Sequence, residues 1–256
     1  MQLKFYKMQG CGNDFIMINS NHLDKDLTTQ EIQSISDRHY GIGCDQLIIY
    51  DEFFQNKTKV KIYNSNGSIA YSCGNGLRCI GLLQQILHNQ NECEITVIGG
   101  NIVHAKIEKL DNKTSGRVYV TLGKYKVEKN DVGTFVKVGN THLVIVVDNI
   151  KNVDMAYGKY LSEKYDVNVS FVKYSAFKAV VKVYERGVGE TAACGSAAAA
   201  VHIANSMCNE QTQVIFDISN ETITAGIKVN IKGESIAYIL GNATLVYEGA
   251  FYFSTR

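Results

Sequence analysis

The stretch that decides the fold is Val60-Lys61-Ile62-Tyr63-Asn64, followed nine positions after Asn64 by Cys73-Gly74-Asn75-Gly76. A second stretch, 121 residues further along the chain, is built in the same way. It reads Val181-Lys182-Val183-Tyr184-Glu185, followed nine positions after Glu185 by Cys194-Gly195-Ser196-Ala197. Each stretch alternates apolar and polar residues like a half-buried strand, and each cysteine stands where an apolar helix is predicted to begin. Two thiols in matching settings suggest chemistry on two sides of one substrate.

The polar residues around these stretches repeat in the same order. The first series is Asn13, Gln46, Asn64 and Cys73, at intervals of 33, 18 and 9 residues. The second series is Asn140, Asn168, Glu185 and Cys194, at intervals of 28, 17 and 9 residues. We therefore predict a duplicated domain, with a first half at residues 1–114, a second half at 115–242 and the active site between them.

Strand patterns dominate both halves, and the predicted helices are few. A helix is predicted to start at Thr28, because its hydroxyl and the carboxylate of Glu31 fit a capping box. Others are predicted near Cys73, over 153–164 and near Cys194. A strand is predicted over 177–184, and the C-terminal region is predicted to form two strands, 235–240 and 243–253. The expected architecture is α+β, with one apolar central helix in each half.

Composition excludes several functional classes. The net charge is +1, which lacks the basic excess that binding to nucleic acid or an anionic membrane surface would need. The N-terminus alternates like a strand and has no signal-peptide core, so we expect a cytoplasmic protein. The seven cysteines include no Cys-x-x-Cys pair, so neither disulfides nor a metal site is predicted. Five are interpreted as small buried hydrophobes: Cys11, Cys44, Cys79, Cys93 and Cys208.

The remaining two thiols stand at predicted helix N-termini. Unpaired N–H groups and the helix dipole lower the pKa of a thiol there from about 8.5 towards neutrality, and they can also hold an anion. Two such helix starts around one carboxylate would place a thiol on either side of the adjacent carbon. One thiolate could remove a proton while the opposite thiol delivers another. The pattern predicts racemisation without a cofactor.

Seven blocks in fixed order resemble the diaminopimelate epimerase family. They are Gly12-Asn13-Asp14-Phe15, Arg38 to Gln46, Asn64 to Cys79, Gly139-Asn140-Thr141-His142, Asn168 to Val172, Glu185 to Thr191, and Cys194-Gly195. The resemblance implies two similar domains, each a mixed barrel-like sheet wrapped round a central helix. It also implies that the last strand, 243–256, crosses back to the first half. The resemblance further implies a cytoplasmic homodimer. This protein would interconvert LL- and meso-diaminopimelate without a metal or pyridoxal phosphate.

The resemblance also implies a role for each site residue. Cys73 and Cys194 are the implied base and acid, assisted by His142 and Glu185 respectively. The implied carboxylate site is formed by backbone N–H groups of Gly74, Asn75, Gly195 and Ser196. The residues implied to surround the remainder of the substrate are Asn13, Gln46, Asn64, Asn140, Asn168, Glu185 and Arg186, the last through a forked pair with the distal carboxylate.

Three positions depart from the family pattern, which usually has proline at Thr141, aspartate at Asn66 and glycine at Ala197. None removes a proposed catalytic group, but each can change rate or substrate preference. A racemase of another amino acid, such as histidine or a proline-like substrate, is therefore an open alternative. Two other classes are a thiol hydrolase that uses one cysteine with His142 and a binding module without catalysis.

Overall fold

The computed structural model describes residues 2–176, 178–205 and 211–252. Phe177, predicted to begin a strand, and Cys208, predicted to be buried, lie outside the described residues. The chain divides into two compact units. The first runs to Tyr119 and resumes at Asn242, and the second is Val120–Gly241.

In its described residues, the first unit contains a barrel-like sheet, two α-helices and a short 3-10 helix, Ser20–His22. Its strands are β1 (Gln2–Gly10), β2 (Asn13–Asn19), β3 (Gln46–Tyr50), β4 (Lys57–Asn64), β5 (Ile69–Ala70), β6 (Glu92–Thr96), β7 (Ile102–Leu110) and most of β8 (Ser115–Gly123). Its helices are α1 (Thr29–Ser36) and α2 (Gly74–His88). The N-cap of α1 is Thr28, and the predicted capping box with Glu31 is confirmed.

The order of pairing explains how this sheet carries the site. β1 is antiparallel to β2, β2 is parallel to β3, and β3 is antiparallel to β4. β4 is then parallel to β6, and β6 is antiparallel to β7. The start of β2, the start of β3 and the end of β4 therefore meet at one end of the sheet, where Gln46 lies opposite Asn64.

Helix α2 is the central helix of the first unit. It contacts β1, β6 and β7, and the ten residues from Asn75 to Gln84 are all buried. Close approach requires glycine at one point, since a Cβ added at Gly76 would lie 2.6 Å from Cδ1 of Ile48. The helix ends where Asn89 adopts a left-handed conformation.

The second unit has the same topology. Its strands are β9 (Lys126–Lys129), β10 (Thr134–Val138), β11 (Asn140–Val146), β12 (Asn168–Ser175), β13 (Lys178–Glu185), β14 (Gly189–Glu190), β15 (Thr212–Phe216), β16 (Thr222–Val229) and the first part of β17 (Ser235–Tyr252). Its helices are α3 (Met155–Tyr165) and the central α4 (Gly195–Ala204).

The pairings of the second unit repeat those of the first one by one. β10 is antiparallel to β11, β11 is parallel to β12, and β12 is antiparallel to β13. β13 is then parallel to β15, and β15 is antiparallel to β16. The predicted α+β class, with a mixed barrel-like sheet around a central helix in each unit, is confirmed.

The C-terminal region differs from its prediction. The two predicted strands are one continuous strand, β17, because its first part pairs with β16 and its later part with β1. Hydrogen bonds to different neighbouring strands keep the backbone extended through Gly241-Asn242, which lie between the two predicted strands.

Candidate active site

Cys73 lies at the start of α2 in the first unit. It is the N-cap residue, its side chain makes no capping hydrogen bond, and it is partly exposed. Gly74 and Asn75 form the start of α2, as predicted, and anion binding by their backbone N–H groups stays a prediction. Sγ of Cys73 lies 3.7 Å from Oδ1 of Asn13.

A charged cluster at the same end of the sheet holds Asn13. The side-chain amide of Asn13 donates to Oδ2 of Asp45 (2.9 Å). Both oxygens of Asp14 accept from Arg38, at 2.7 and 2.9 Å, and Oδ2 also accepts from Lys7. Burial alone would raise the pKa of Asp14, but the hydrogen bonds from Arg38 and Lys7 lower it well below its usual range.

Gln46 and Asn64 are paired at this end of the sheet. Nε2 of Gln46 donates to Oδ1 of Asn64 (2.9 Å). Oε1 of Gln46 is buried and has no hydrogen-bond partner among the residues that the structure describes. A buried acceptor without a donor is unfavourable by about 1–3 kcal/mol, so this oxygen is suited to a ligand's N–H group.

Arg78 is a buried cation in α2 that sequence reasoning gave no role. It is fully buried, and its Nη2 donates to Oδ1 of Asn75 (2.9 Å). A second contact joins Nη2 to Sγ of Cys11 (3.3 Å). The signal in the sequence was an arginine next to the apolar stripe of Leu77, Ile80 and Leu83.

Cys194 lies at the start of α4 in the second unit and is 6% exposed. Its thiol donates to Oε2 of Glu185 (3.1 Å), and Oε1 of Glu185 accepts from the hydroxyl of Thr191 (2.6 Å). Burial raises the pKa of Cys194 well above its ordinary value, and the nearby Glu185 carboxylate raises it further. Burial also raises the pKa of Glu185. The expectation of a lowered pKa is therefore wrong for Cys194, because burial and Glu185 outweigh the helix terminus.

His142 belongs to the same network in the second unit. Its Nε2 lies 2.9 Å from Oγ of Ser196, which in turn lies 3.4 Å from Sγ of Cys194. His142 is fully buried, and burial lowers its pKa to about 3. It is therefore neutral at physiological pH. Its predicted assistance to Cys73 stays a prediction.

The remaining predicted residues of the second unit lie near this network. Oδ1 of Asn168 accepts from the backbone N–H of Arg186 (2.9 Å), and its Nδ2 lies 3.4 Å from Nε2 of His142. Nη1 of Arg186 donates to Oδ2 of Asp166 (2.6 Å) and to its backbone carbonyl (3.2 Å). Asn140 is exposed at the start of β11. The Arg186 side chain is more than half exposed, and its pairing with the distal carboxylate stays a prediction.

The other cysteines described by the structure have no such setting. Cys11, Cys44, Cys79 and Cys93 are buried and form no disulfide. Burial raises the pKa of Cys44 to about 11 and that of Cys93 to about 12. Within the described ranges, no three His, Cys, Asp or Glu side chains are grouped as metal ligands, and no helix is long and apolar enough to cross a membrane.

Comparison with known proteins assigns the chain to a family. The sequence profile described as diaminopimelate epimerase matches residues 5–128 and 134–246. The diaminopimelate epimerase of Blochmanniella pennsylvanica is 32% identical over 96% of this chain and 98% of that protein. The protein of the same name from Buchnera aphidicola subsp. Baizongia pistaciae is 33% identical, over 98% and 96%.

Solved structures share the fold at low sequence identity. A phenazine biosynthesis protein of the PhzF family from Bacillus anthracis has a TM-score of 0.75 and 12% identity, covering 99% of this chain and 100% of that one. A probable proline racemase from Agrobacterium radiobacter has a TM-score of 0.71 and 10% identity, covering 99% and 93%. The chain, an isomerase of the amino-acid epimerase type, belongs to the diaminopimelate epimerase family.

Proposed function

We propose that this protein interconverts LL- and meso-2,6-diaminopimelate by a two-base mechanism without a cofactor. Relatives that carry the name of this activity match nearly the whole chain. The observation that carries the mechanism is the buried thiol of Cys194, which donates to Glu185 at the start of α4. A protonated thiol beside a carboxylate is a proton donor that can be reprotonated in place.

The proton movements follow from this pair and its counterpart. In one direction the thiolate of Cys73 removes the α-proton, and the thiol of Cys194 protonates the opposite face of the carbanion. In the other direction the two cysteines exchange roles, and Glu185 then accepts the proton of Cys194 to form the thiolate. His142, held neutral by burial, positions Ser196 and assists as a hydrogen-bonding group and not as a cation.

Substrate binding uses charge and hydrogen-bond complementarity. The first-turn N–H groups of α2 and α4, at Gly74, Asn75, Gly195 and Ser196, receive the reacting carboxylate and the negative charge that develops next to it. Glu185 also attracts the ammonium group at the reacting carbon, and Arg186 binds the distal carboxylate. Amides then enclose the rest of the molecule: Asn13, Gln46, Asn64, Asn140 and Asn168.

The test is proton NMR of LL-diaminopimelate with the reduced protein in D₂O. We expect the α-proton signal to disappear and the meso isomer to form. Cys73→Ala and Cys194→Ala should each abolish epimerisation, whereas Cys93→Ala, at a buried thiol outside the proposed site, is the matched control. Retained epimerisation in Cys194→Ala would instead favour a reaction that needs one cysteine.

Three further measurements delimit the proposal. Turnover of histidine or proline in preference to diaminopimelate would assign another substrate. Dialysis against EDTA removes bound metal ions, and hydroxylamine removes pyridoxal phosphate. We expect full activity after both treatments, and loss of activity would contradict a mechanism without a cofactor. The same proposal includes a cytoplasmic location and a homodimer, and light scattering tests the dimer. It also includes two halves in each chain, 1–114 plus 243–256 and 115–242.

A further inference from the structure

A chain of four polar side chains runs from the loop after β4 to Gln46. Oδ1 of Asn66 accepts both the backbone N–H of Ser68 (2.9 Å) and its hydroxyl (2.6 Å). Oγ of Ser68 accepts from Nδ2 of Asn64 (3.0 Å), and Oδ1 of Asn64 accepts from Nε2 of Gln46 (2.9 Å). The chain ends at Oε1 of Gln46, which is buried and has no partner among the described residues.

The direction of every hydrogen bond in this chain follows from one backbone group. The N–H of Ser68 can only donate, so Asn66 must present its oxygen to Ser68. The hydroxyl of Ser68 must donate to that same oxygen, which leaves Oγ able only to accept from Asn64. Asn64 therefore turns its NH₂ group to Ser68 and its oxygen to Gln46.

The same constraint fixes Gln46. Its NH₂ group has to face Asn64, so its oxygen has to face away from Asn64. An amide can usually reverse its oxygen and nitrogen at little cost, but reversal here would place two acceptors or two donors against each other. Gln46 therefore offers an acceptor at the site, and the reversed amide would have offered donors.

We propose that Ser68 is a positioning residue that determines specificity, because it makes Gln46 a receptor for an ammonium group of the substrate and not for a carboxylate. The inference rests on the proposed function. Diaminopimelate carries both kinds of group, so an amide of fixed direction contributes to the orientation in which the substrate binds. An unpartnered buried oxygen gains most from a charged donor.

Asn66 anchors the chain, and the family usually has aspartate there. A carboxylate can only accept, so Asn66→Asp keeps Ser68 as the donor and preserves the direction of the chain. Ser68→Ala removes the acceptor for Asn64, and the Asn64–Gln46 pair can then reverse. Ser68→Thr retains the hydroxyl. Ser68 is exposed, so these substitutions leave the core packing unchanged.

The kinetic test compares these variants with the wild type on LL-diaminopimelate. Ser68→Ala is expected to raise KM about tenfold, the effect of one lost hydrogen bond to a charged group, with kcat within about twofold. Ser68→Thr and Asn66→Asp should have KM values within about twofold of the wild type. An unchanged KM in Ser68→Ala, or an equal loss in Ser68→Thr, overturns the inference.

A second readout needs no substrate and separates this inference from the proposed function. The readout is the NMR signal of the two side-chain amide protons of Gln46 in the ligand-free protein. These signals are assigned by their loss in Gln46→Met, and one of the two protons should be hydrogen-bonded. That signature should change in Ser68→Ala and persist in Ser68→Thr. An unchanged Gln46 signal in Ser68→Ala overturns the inference that Ser68 fixes the direction of the Gln46 amide. Lack of α-proton exchange by the wild type in D₂O instead overturns the proposed epimerase function. A crystal structure with bound diaminopimelate gives a third readout. A substrate carboxylate oxygen next to Oε1 of Gln46 would overturn the inference that Gln46 receives an ammonium group.

Discussion

Sγ of Cys194 lies 3.1 Å from Oε2 of Glu185, and Glu185 occupies the position that Asn64 occupies in the first unit. Each residue ends a long strand, β4 or β13, that is followed by a two-residue strand and then by the central helix. The same position of the fold therefore holds a carboxylate in the second unit and a neutral amide in the first. The Glu185 carboxylate accepts a hydrogen bond from the thiol of Cys194. Replacing Glu185 with glutamine tests the role of this contact.

Glu185→Gln should lower kcat by about 100-fold or more, because it removes the group that exchanges a proton with Cys194. The measurement is the initial rate of epimerisation in both directions. Glu190→Gln, an exposed neighbour on β14, is the matched control and should retain wild-type rates. Similar rates for Glu185→Gln and the wild type would show that Cys194 needs no carboxylate.

His142 should remain neutral through the physiological pH range. Burial lowers its pKa to about 3, whereas histidine in an unfolded chain titrates near pH 6.5. Its NMR ring signals should therefore not shift between pH 8 and 5. Because the folded pKa is the lower one, stability is fully present above about pH 6.5 and is lost progressively as the pH falls below that value. A midpoint near 6.5 for the His142 signals would refute the buried neutral ring.

Asp14 should stabilise the first unit in a pH-dependent way. Its pKa is lowered by Arg38 and Lys7 against the effect of burial, so its contribution is present above the unfolded pKa of about 3.9 and is lost as the pH falls below it. Asp14→Asn should reduce the free energy of unfolding at pH 7 by about 2 kcal/mol. Urea titrations at pH 7 and pH 3 measure the difference. Asp24→Asn, at an exposed position, is the control, and an equal loss at both pH values would contradict the linkage.

Gly76→Ala should destabilise the protein by about 1–3 kcal/mol through overpacking. The added Cβ would lie 2.6 Å from Cδ1 of Ile48, and both residues belong to the first unit. Ile48→Val removes that carbon, so the double variant should be more stable than the sum of the two single changes predicts. Thermal unfolding of all four proteins completes the cycle, and strict additivity would refute the contact.

Local patterns predicted the elements well. The capping box at Thr28 and the two helices after Cys73 and Cys194 could be predicted, because strand alternation and helix starts are encoded in short stretches. The continuity of β17 could not, because the hydrogen bonds that maintain it come from β16 and β1.

The sequence predicted which residues lie together at the start of α4 better than it predicted their electrostatics. Cys194, Glu185 and Ser196 were expected near one helix start and are joined by hydrogen bonds. The raised pKa of Cys194 was not expected, because burial is a property of the packed protein. The hydrogen bonds that join Arg38 to Asp14 and Asp45 span up to 24 residues of sequence, and no local pattern indicates such a pairing.

The single strand β17 limits how far the two units can be treated as modules. Its later part is the neighbour of β1, from Gln2 opposite Tyr252 to Gln9 opposite Thr244. A fragment that stopped at Tyr119 would therefore leave the outer edge of β1 without hydrogen-bond partners, and bare strand edges recruit other chains. Fragments of the protein that lack β17 should therefore aggregate unless β17 is supplied as a peptide.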